Sequence, residues 1–295
     1  NLTDRQLLIW IEQKLCGAIP VANMVATFDI AGAVDHGRLE HAFQLVIRHC
    51  DALRIVIDAV DGVPQQRFVS DLAYQLDFVD VSHESDSDAA FATWKDQRSV
   101  LPLVPTERLF DSALVKISGS RFIWYLCQHH LITDAWAFGL ILERTSEIYR
   151  ALGAGSPPEL LAWPKFEDHI AAIQASRDPS ATGRGEAHRP ETLATGSEPI
   201  ELYGRDPATG SAWTRRRTRR LGPDRVRQLR AIVKEEGVRC MPQSTTLPVV
   251  FSALLFAYLH RVSGNGQMTV GMPTANRRSK VAKETAGLFM EVGLL

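Results

Sequence analysis

Residues 121–130 read RFIWYLCQHH, an extended run that is apolar on both faces. A strand with one wet face alternates apolar and polar side chains, whereas one that is apolar on both faces has to lie inside a sheet covered above and below. The segment before it, RLFDSALVKIS (108–118), reads as a second strand joined through the turn signal Gly119-Ser120. The segment after it, 134–151, returns to helical spacing through Ala137, Ile141 and Ile148, with Glu143, Arg144 and Glu147 on the polar side. A buried strand thus runs almost directly into a helix N-terminus, and the fold class that follows is α/β.

The rest of the chain fits that class. MVATFDIAG (24–32), LRIVIDAV (53–60) and QQRFVSDLAYQLDFVDV (65–81) read as strands joined by turns. Between the first two, Leu39, Ala42, Phe43, Val46, Ile47 and Cys50 form one helical face, with Asp35 as N-cap. Residues 86–98 predict a modest helix. Beyond 176 the texture changes to Ser, Gly, Pro, Thr and charge without periodicity, which reads as a long surface crossover. Order resumes with WTRRRTRRL, then a helix from Pro223 at its first position to Gly237 past its end. A further helix, 247–262, is apolar nearly all round and is expected to be buried. It ends at Gly264, and QMTVGMP follows as a strand. The expected organisation is a first lobe over 1–175, a crossover linker over 176–212 and a partial second lobe over 213–295. The closing run GLFMEVGLL has no turn or cap, and the chain reads as a piece of something longer.

Bulk properties exclude several partners. The 295 residues are 45% hydrophobic and 23% charged, with a formal net charge of −1. No global field draws the chain to nucleic acid or to an anionic membrane. Apolar runs such as LPVVFSALLFAYL fall short of the ~20 residues of a bilayer span. Four scattered cysteines, Cys16, Cys50, Cys127 and Cys240, form no CxxC pair, and the expectation is a reduced, cytoplasmic protein without disulfides. The basic run TRRRTRR (214–220) reads as a solvated strand face, and the glycines of HRVSGNG lack the spacing of a phosphate loop.

The stretch QHHLITDAW (128–136) carries the chemistry. The end of a buried strand holds its residues rigidly at a sheet edge, where a cleft can form. A histidine there, with an ordinary pKa of ~6.5, can accept a proton at neutral pH. Consecutive strand residues point to opposite faces, so His129 and His130 have different jobs: one faces the cleft and the other packs. Asp134 either holds the ring or turns to another cation. His and Asp are metal ligands, but adjacent strand residues rarely converge on one ion, and no third His or Cys stands at ligand spacing. A Ser-His-Asp hydrolase is disfavoured because no GxSxG elbow occurs. On these residues alone, satisfied core histidines and an N-cap aspartate remain an equal reading.

HHLITDAW resembles the HHxxxDG motif of condensation domains from nonribosomal peptide synthetases, in the superfamily of CoA-dependent acyltransferases that includes chloramphenicol acetyltransferase. LTDRQLLIWIEQKL resembles the family's opening motif through Gln6 and Trp10, and RHCDALRIVI its RHxxLR motif through Arg48, His49, Leu53 and Arg54. LLFAYLHRVSGNGQMTVGMPTANRR resembles the second-lobe segment that ends in G-x-P-x-x-x-R, and ETAGLFMEV the glycine-led motif after it. The resemblance implies two chloramphenicol-acetyltransferase-like lobes in a V shape, the second incomplete in this chain. It implies acyl transfer from one carrier-protein-bound thioester to an amine or hydroxyl on another, giving an amide or ester. The partners implied are donor and acceptor carrier proteins and neighbouring synthetase modules, with no nucleic acid and no membrane. No metal and no cofactor of its own is implied; the carriers' phosphopantetheine arms bring the thioester. By position, His130 is the catalytic residue, His129 and Trp136 support it, and Asp134 is structural, paired with Arg277 or else with Arg278. Ala135 stands where the motif has glycine, and Glu291 where asparagine is common. A freestanding CoA-dependent acyltransferase and an inactive carrier-docking module are the alternatives. Heterocyclisation is unlike this motif, which has histidines where that subfamily resembles D-x-x-x-x-D.

Overall fold

The computed structural model describes residues 1–156, 163–176, 217–238, 240 and 245–295. The central strand is β6 (Arg121–His129), flanked by β1 (Asn23–Ala31) and β5 (Phe110–Ser118), with β4 (Asp77–Asp80) outside β5. The order is β1-β6-β5-β4; β6 is antiparallel to both neighbours and β4 is parallel to β5. Every residue from Phe122 to His129 is buried, as the two-faced apolar run requires.

The two faces bury against different layers. Phe122, Trp124 and Leu126 join the main core with α2 (His36–His49) and α4 (Ala135–Gly153). Ile123, Tyr125 and Cys127 face the other way, toward Val79, Trp94 and Leu103, and Trp94 lies on α3 (Ser87–Ser99). At the centre, Phe43 meets Tyr74, Phe110 and Trp124 edge to face at 5.6–5.8 Å. Trp124 satisfies its indole N–H by donating to the Ser112 hydroxyl at 2.8 Å. Each such aromatic, fully removed from water, contributes about 1.5–3 kcal/mol before geometric preferences are added.

Local signals set the helix ends. Asp35 caps α2 by accepting from the Arg38 N–H at 2.9 Å, as its position predicts. A short 3-10 turn, Asp51–Arg54, follows and leads into the hairpin of β2 (Ile55–Val60) and β3 (Val63–Phe68). Two residues of that turn clamp distant chain. The Arg54 guanidinium donates to the carbonyls of Ile47 and Val69. Buried Asp51 accepts from the N–H groups of Phe166 and Glu167, both at 2.9 Å, and so caps α5 (Phe166–Ser176) from 115 residues away. The RHxxLR segment is therefore a structural junction.

The chain divides into two compact units: Asn1–Arg184 with Pro273–Gly293, and Gly185–Met272 with Leu294–Leu295. Residues 273–293 thus cluster with the first unit and not with the rest of the expected 213–295 lobe. The linker assigned to 176–212 lies, after Ser176, outside the described residues, as do 213–216 of the WTRRRTRRL segment; Arg217 to Leu221 are exposed and without regular structure. The described helices of the second unit are α6 (Pro223–Ile232), with Pro223 at its first turn, and α7 (Thr246–Ser263), which ends at Gly264 in the left-handed conformation. Two short strands, β7 (Gly271–Thr274) and β8 (Glu291–Leu294), pair, and α8 (Lys280–Glu284) lies between them in sequence.

α7 was expected to be buried on all sides, yet Leu247, Val249, Phe251, Leu254, Leu255 and Tyr258 are all exposed. An all-round apolar helix needs a cover on every side, and the described residues bury only Thr246 and Leu259 on it. At 18 residues it is also the one described helix long and apolar enough to cross a membrane by length and composition. All four cysteines are free, and burial pushes the thiols of Cys50 and Cys127 up to about 12.

Asp51→Ala removes two charge-assisted bonds to the start of α5. We expect a loss of about 2 kcal/mol in urea-induced unfolding, with the β-sheet signal in far-UV circular dichroism unchanged.

Candidate functional site

The site forms where β6 ends. His129 is the last residue of the strand, and its N–H donates to the Leu109 carbonyl at 2.8 Å. The His130 N–H donates to the Ala22 carbonyl at 2.8 Å, so ladder-like bonds hold both histidine backbones. The pleat then sends the side chains to opposite faces.

His130, half-buried, has the parity of Trp124, Leu126 and Gln128 and shares their face. Its Nδ1 lies 2.7 Å from the Thr133 carbonyl oxygen. A carbonyl only accepts, so Nδ1 carries a proton, which in a neutral ring leaves the lone pair at Nε2. Among the described residues, Nε2 has no hydrogen-bond partner.

His129 is only 4% exposed and is committed differently. Its Nδ1 accepts from the Leu131 N–H at 3.2 Å, which requires a neutral ring. Burial, with a smaller contribution from His130, pushes its pKa down to about 4. The ring supports the turn and does not titrate near neutrality.

Asp134 closes the turn and does three things at once. As N-cap of α4 it accepts from the Ala137 N–H at 2.9 Å. It also accepts from the backbone N–H groups of Phe289 at 3.0 Å and Met290 at 3.2 Å. Finally, it pairs with Arg277, whose Nη2 lies 3.0 and 3.1 Å from the two carboxylate oxygens. Both side chains are almost completely buried. Arg277 also donates to the carbonyls of Ala282, Thr285 and Gly287, and its guanidinium lies over the Phe289 ring at 4.1 Å. Burial lowers its pKa from the usual arginine value while Asp134 pulls it back up. Arg277 takes the place beside Asp134; Arg278 is exposed.

The remaining positions are peripheral. Ala135 is exposed in the first turn of α4, and Glu291 is exposed on β8. Trp136, 44% exposed, donates its indole N–H to the Lys283 carbonyl at 2.8 Å. Gly287 has φ +148°, and a Cβ there would overlap the Phe166 ring, so the glycine of the ETAGLFMEV segment answers both a backbone and a packing demand. No cluster of three His, Cys, Asp or Glu side chains suited to a metal occurs among the described residues.

Several contributors gave no side-chain signal in the sequence. The Thr133 carbonyl and the Phe289 and Met290 N–H groups are backbone, which every residue carries. In the sequence Gln6 is only a letter of the opening motif, yet its carboxamide reaches the Leu131 carbonyl at 3.0 Å.

A family model for the condensation domain matches residues 1–292. The chain belongs to the condensation-domain family. Among curated relatives it is 26% identical to a dimodular nonribosomal peptide synthase of Bacillus subtilis (strain 168), over 99% of this chain and 12% of that protein. It is equally identical to an isonitrile lipopeptide synthase of Streptomyces coeruleorubidus, over 96% of this chain and 19% of that one. Among solved structures, the starter condensation domain of rhizomide synthetase (an arginine-to-alanine mutant) in complex with C8-CoA matches with a TM-score of 0.88 at 24% identity. That match covers all of this chain and 65% of that one. The first condensation domain of the calcium-dependent antibiotic synthetase, in complex with a substrate analogue, matches with a TM-score of 0.84 at 26% identity, covering 68% of that chain. This condensation domain therefore has the mixed α/β fold of its family, and the resemblance carried by its five motifs is the family that the comparison finds.

Two measurements test the site's physics. Arg277→Met leaves the Asp134 charge buried without its counter-ion, and we expect a loss of about 3–5 kcal/mol in chemical denaturation. The second concerns His129. Its folded value near 4 lies below the ordinary 6.5, so the unfolded chain takes up a proton first as pH falls. Its contribution to stability is complete above pH 6.5 and is lost between 6.5 and 4, up to about 3 kcal/mol. Urea midpoints measured from pH 7.5 to 4.5 should fall along that window, and less steeply in His129→Gln.

Proposed function

We propose that this condensation domain joins a carrier-bound acyl thioester to an amine on a second carrier-bound substrate, forming an amide in nonribosomal peptide or hybrid polyketide–peptide assembly. The observation that carries the reading is the His130 ring, with Nδ1 committed to the Thr133 carbonyl and the basic Nε2 left without a partner. A thioester is already activated, so the chain has to bring two tethered reactants together and manage one proton. Positioning of that kind is worth up to about 7–11 kcal/mol, and general base catalysis adds about 10²–10⁴-fold.

In this reading the amine lone pair attacks the thioester carbonyl carbon. The new C–N bond forms, the C–S bond breaks and the thiolate departs on its phosphopantetheine arm. His130 Nε2 accepts the proton that the nitrogen sheds and passes it to the thiolate. A hydroxyl acceptor would follow the same route to an ester. His129, Asp134, Arg277 and Trp136 support the turn and do not touch the reacting atoms. The nonribosomal peptide synthases among the relatives support donor and acceptor carrier proteins and neighbouring modules as partners.

A CoA thioester in place of the carrier-bound donor is the second reading, favoured by the rhizomide synthetase domain holding C8-CoA. Both readings are tested in the full-length synthetase with separately loaded carriers. His130→Ala should lower the rate of product formation by about 10²–10⁴-fold while the domain still binds carrier. Undiminished product would remove His130 from the chemistry. Carrier binding without product even in the unaltered protein would mark a docking module, and turnover with acyl-CoA alone would mark the CoA-dependent route.

A further inference from the structure

The turn that carries His130 is held from a direction that the motif does not announce. Gln6 lies in the first turn of α1 (Asp4–Leu15) and is completely buried. Its carboxamide oxygen accepts from the Thr3 N–H at 3.0 Å, completing a capping box in which the Thr3 hydroxyl accepts from the Gln6 N–H at 3.2 Å. That requirement alone would be met by a glutamate. The amide nitrogen does something else: it donates to the Leu131 carbonyl at 3.0 Å and to the Gln66 side-chain oxygen at 2.9 Å. Gln66, 5% exposed on β3, donates back to the Gln6 oxygen at 3.2 Å and to the Asn1 carbonyl at 3.0 Å. The two carboxamides are therefore locked head to tail, and neither can rotate without orphaning a buried group.

Leu131 is the residue after His130. Its N–H is tied to the His129 ring and its carbonyl to Gln6, so the peptide units on both sides of Leu131 are each held by a side chain. Two residues on, the Thr133 carbonyl sets the tilt of the His130 ring. A shift of the 131–133 backbone would carry that carbonyl away from Nδ1, releasing both the ring's orientation and its tautomer. We infer that Gln6 is a positioning residue for His130: its buried carboxamide, clamped by Gln66, fixes the turn from which the ring is aimed. This inference rests on the role proposed above for His130.

Gln6→Met, close in volume, removes both donors. Gln6→Glu loses the same donors to Leu131 and Gln66 but keeps the acceptor for the Thr3 N–H and the Gln66 amide, so it serves if the first variant folds poorly. Thr3→Ala is the control, since it weakens the same capping box without touching Leu131. The expected result is a fall in kcat of up to about 10²-fold for the Gln6 variants, with KM for the loaded carriers unchanged, and near-normal kcat for Thr3→Ala despite a lowered Tm. Nitrogen NMR of ring-labelled histidine supplies a readout besides turnover: His130 should lose its single Nδ1–H tautomer in the Gln6 variants and keep it in Thr3→Ala. Equal loss of Tm in all the variants, with kcat and the His130 ring signals unmoved, would overturn the inference, as would altered ring signals with normal kcat. Failure of the His130 role itself would show separately, as full turnover in His130→Ala while the ring signals still respond to Gln6.

Discussion

The Asp134 carboxylate is the contact on which the site's geometry depends. It gathers three backbone N–H groups and one guanidinium from segments up to 156 residues away. A buried ion pair by itself is a poor source of stability, because desolvating two charges costs about as much as their attraction returns. Here the carboxylate's lone pairs are well supplied with donors, and the two terminal nitrogens of the arginine also donate to three carbonyls, while its buried Nε has no hydrogen-bond partner among the described residues. The arrangement therefore acts chiefly as a specifier. It admits one position for the start of α4, and with it one end of the turn that bears His130.

The other end of that turn is fixed by the sheet. β6 is buried on both faces, so its last residues inherit the rigidity of the core instead of the mobility of a loop. The two histidines divide the work according to the pleat. His129, in an apolar setting that keeps it neutral, lends its ring nitrogen to the backbone. His130, on the opposite face and only half-buried, keeps one nitrogen for the turn and leaves the other open. The proposed chemistry depends on this division, since a histidine held neutral down to about pH 4 is a weak base.

Similar economy appears in the RHxxLR segment and the opening helix, where motif residues turn out to be junctions. Asp51 and Arg54 hold α5 and the carbonyls of Ile47 and Val69, and Gln6 holds the turn. Asp51 and Gln6 are buried and Arg54 is partly so, and in such settings losing a partner is expensive. A motif letter can thus mark a constraint on the backbone as readily as a contact with substrate.

Period and punctuation in the sequence were enough for β6 and its two-faced burial, for α2 with its Asp35 cap, for α4, and for a histidine at a strand end. These properties are local: a side chain's face follows from its place in a repeat of 2 or 3.6 residues. What the repeat does not encode is which distant group comes to meet that face. Arg277 and Arg278 are neighbours in the chain, and only the path of the backbone decides that the first turns inward to Asp134, 143 residues away. The partner of Nδ1 is a carbonyl, identical in every residue, so no letter could announce it. The same limit explains α7, whose composition demands burial but whose cover is a property of its surroundings. Sequence determined which groups were available; tertiary structure decided which of them meet, because hydrogen bonds and ion pairs depend on ångström distances between segments that the chain order leaves free.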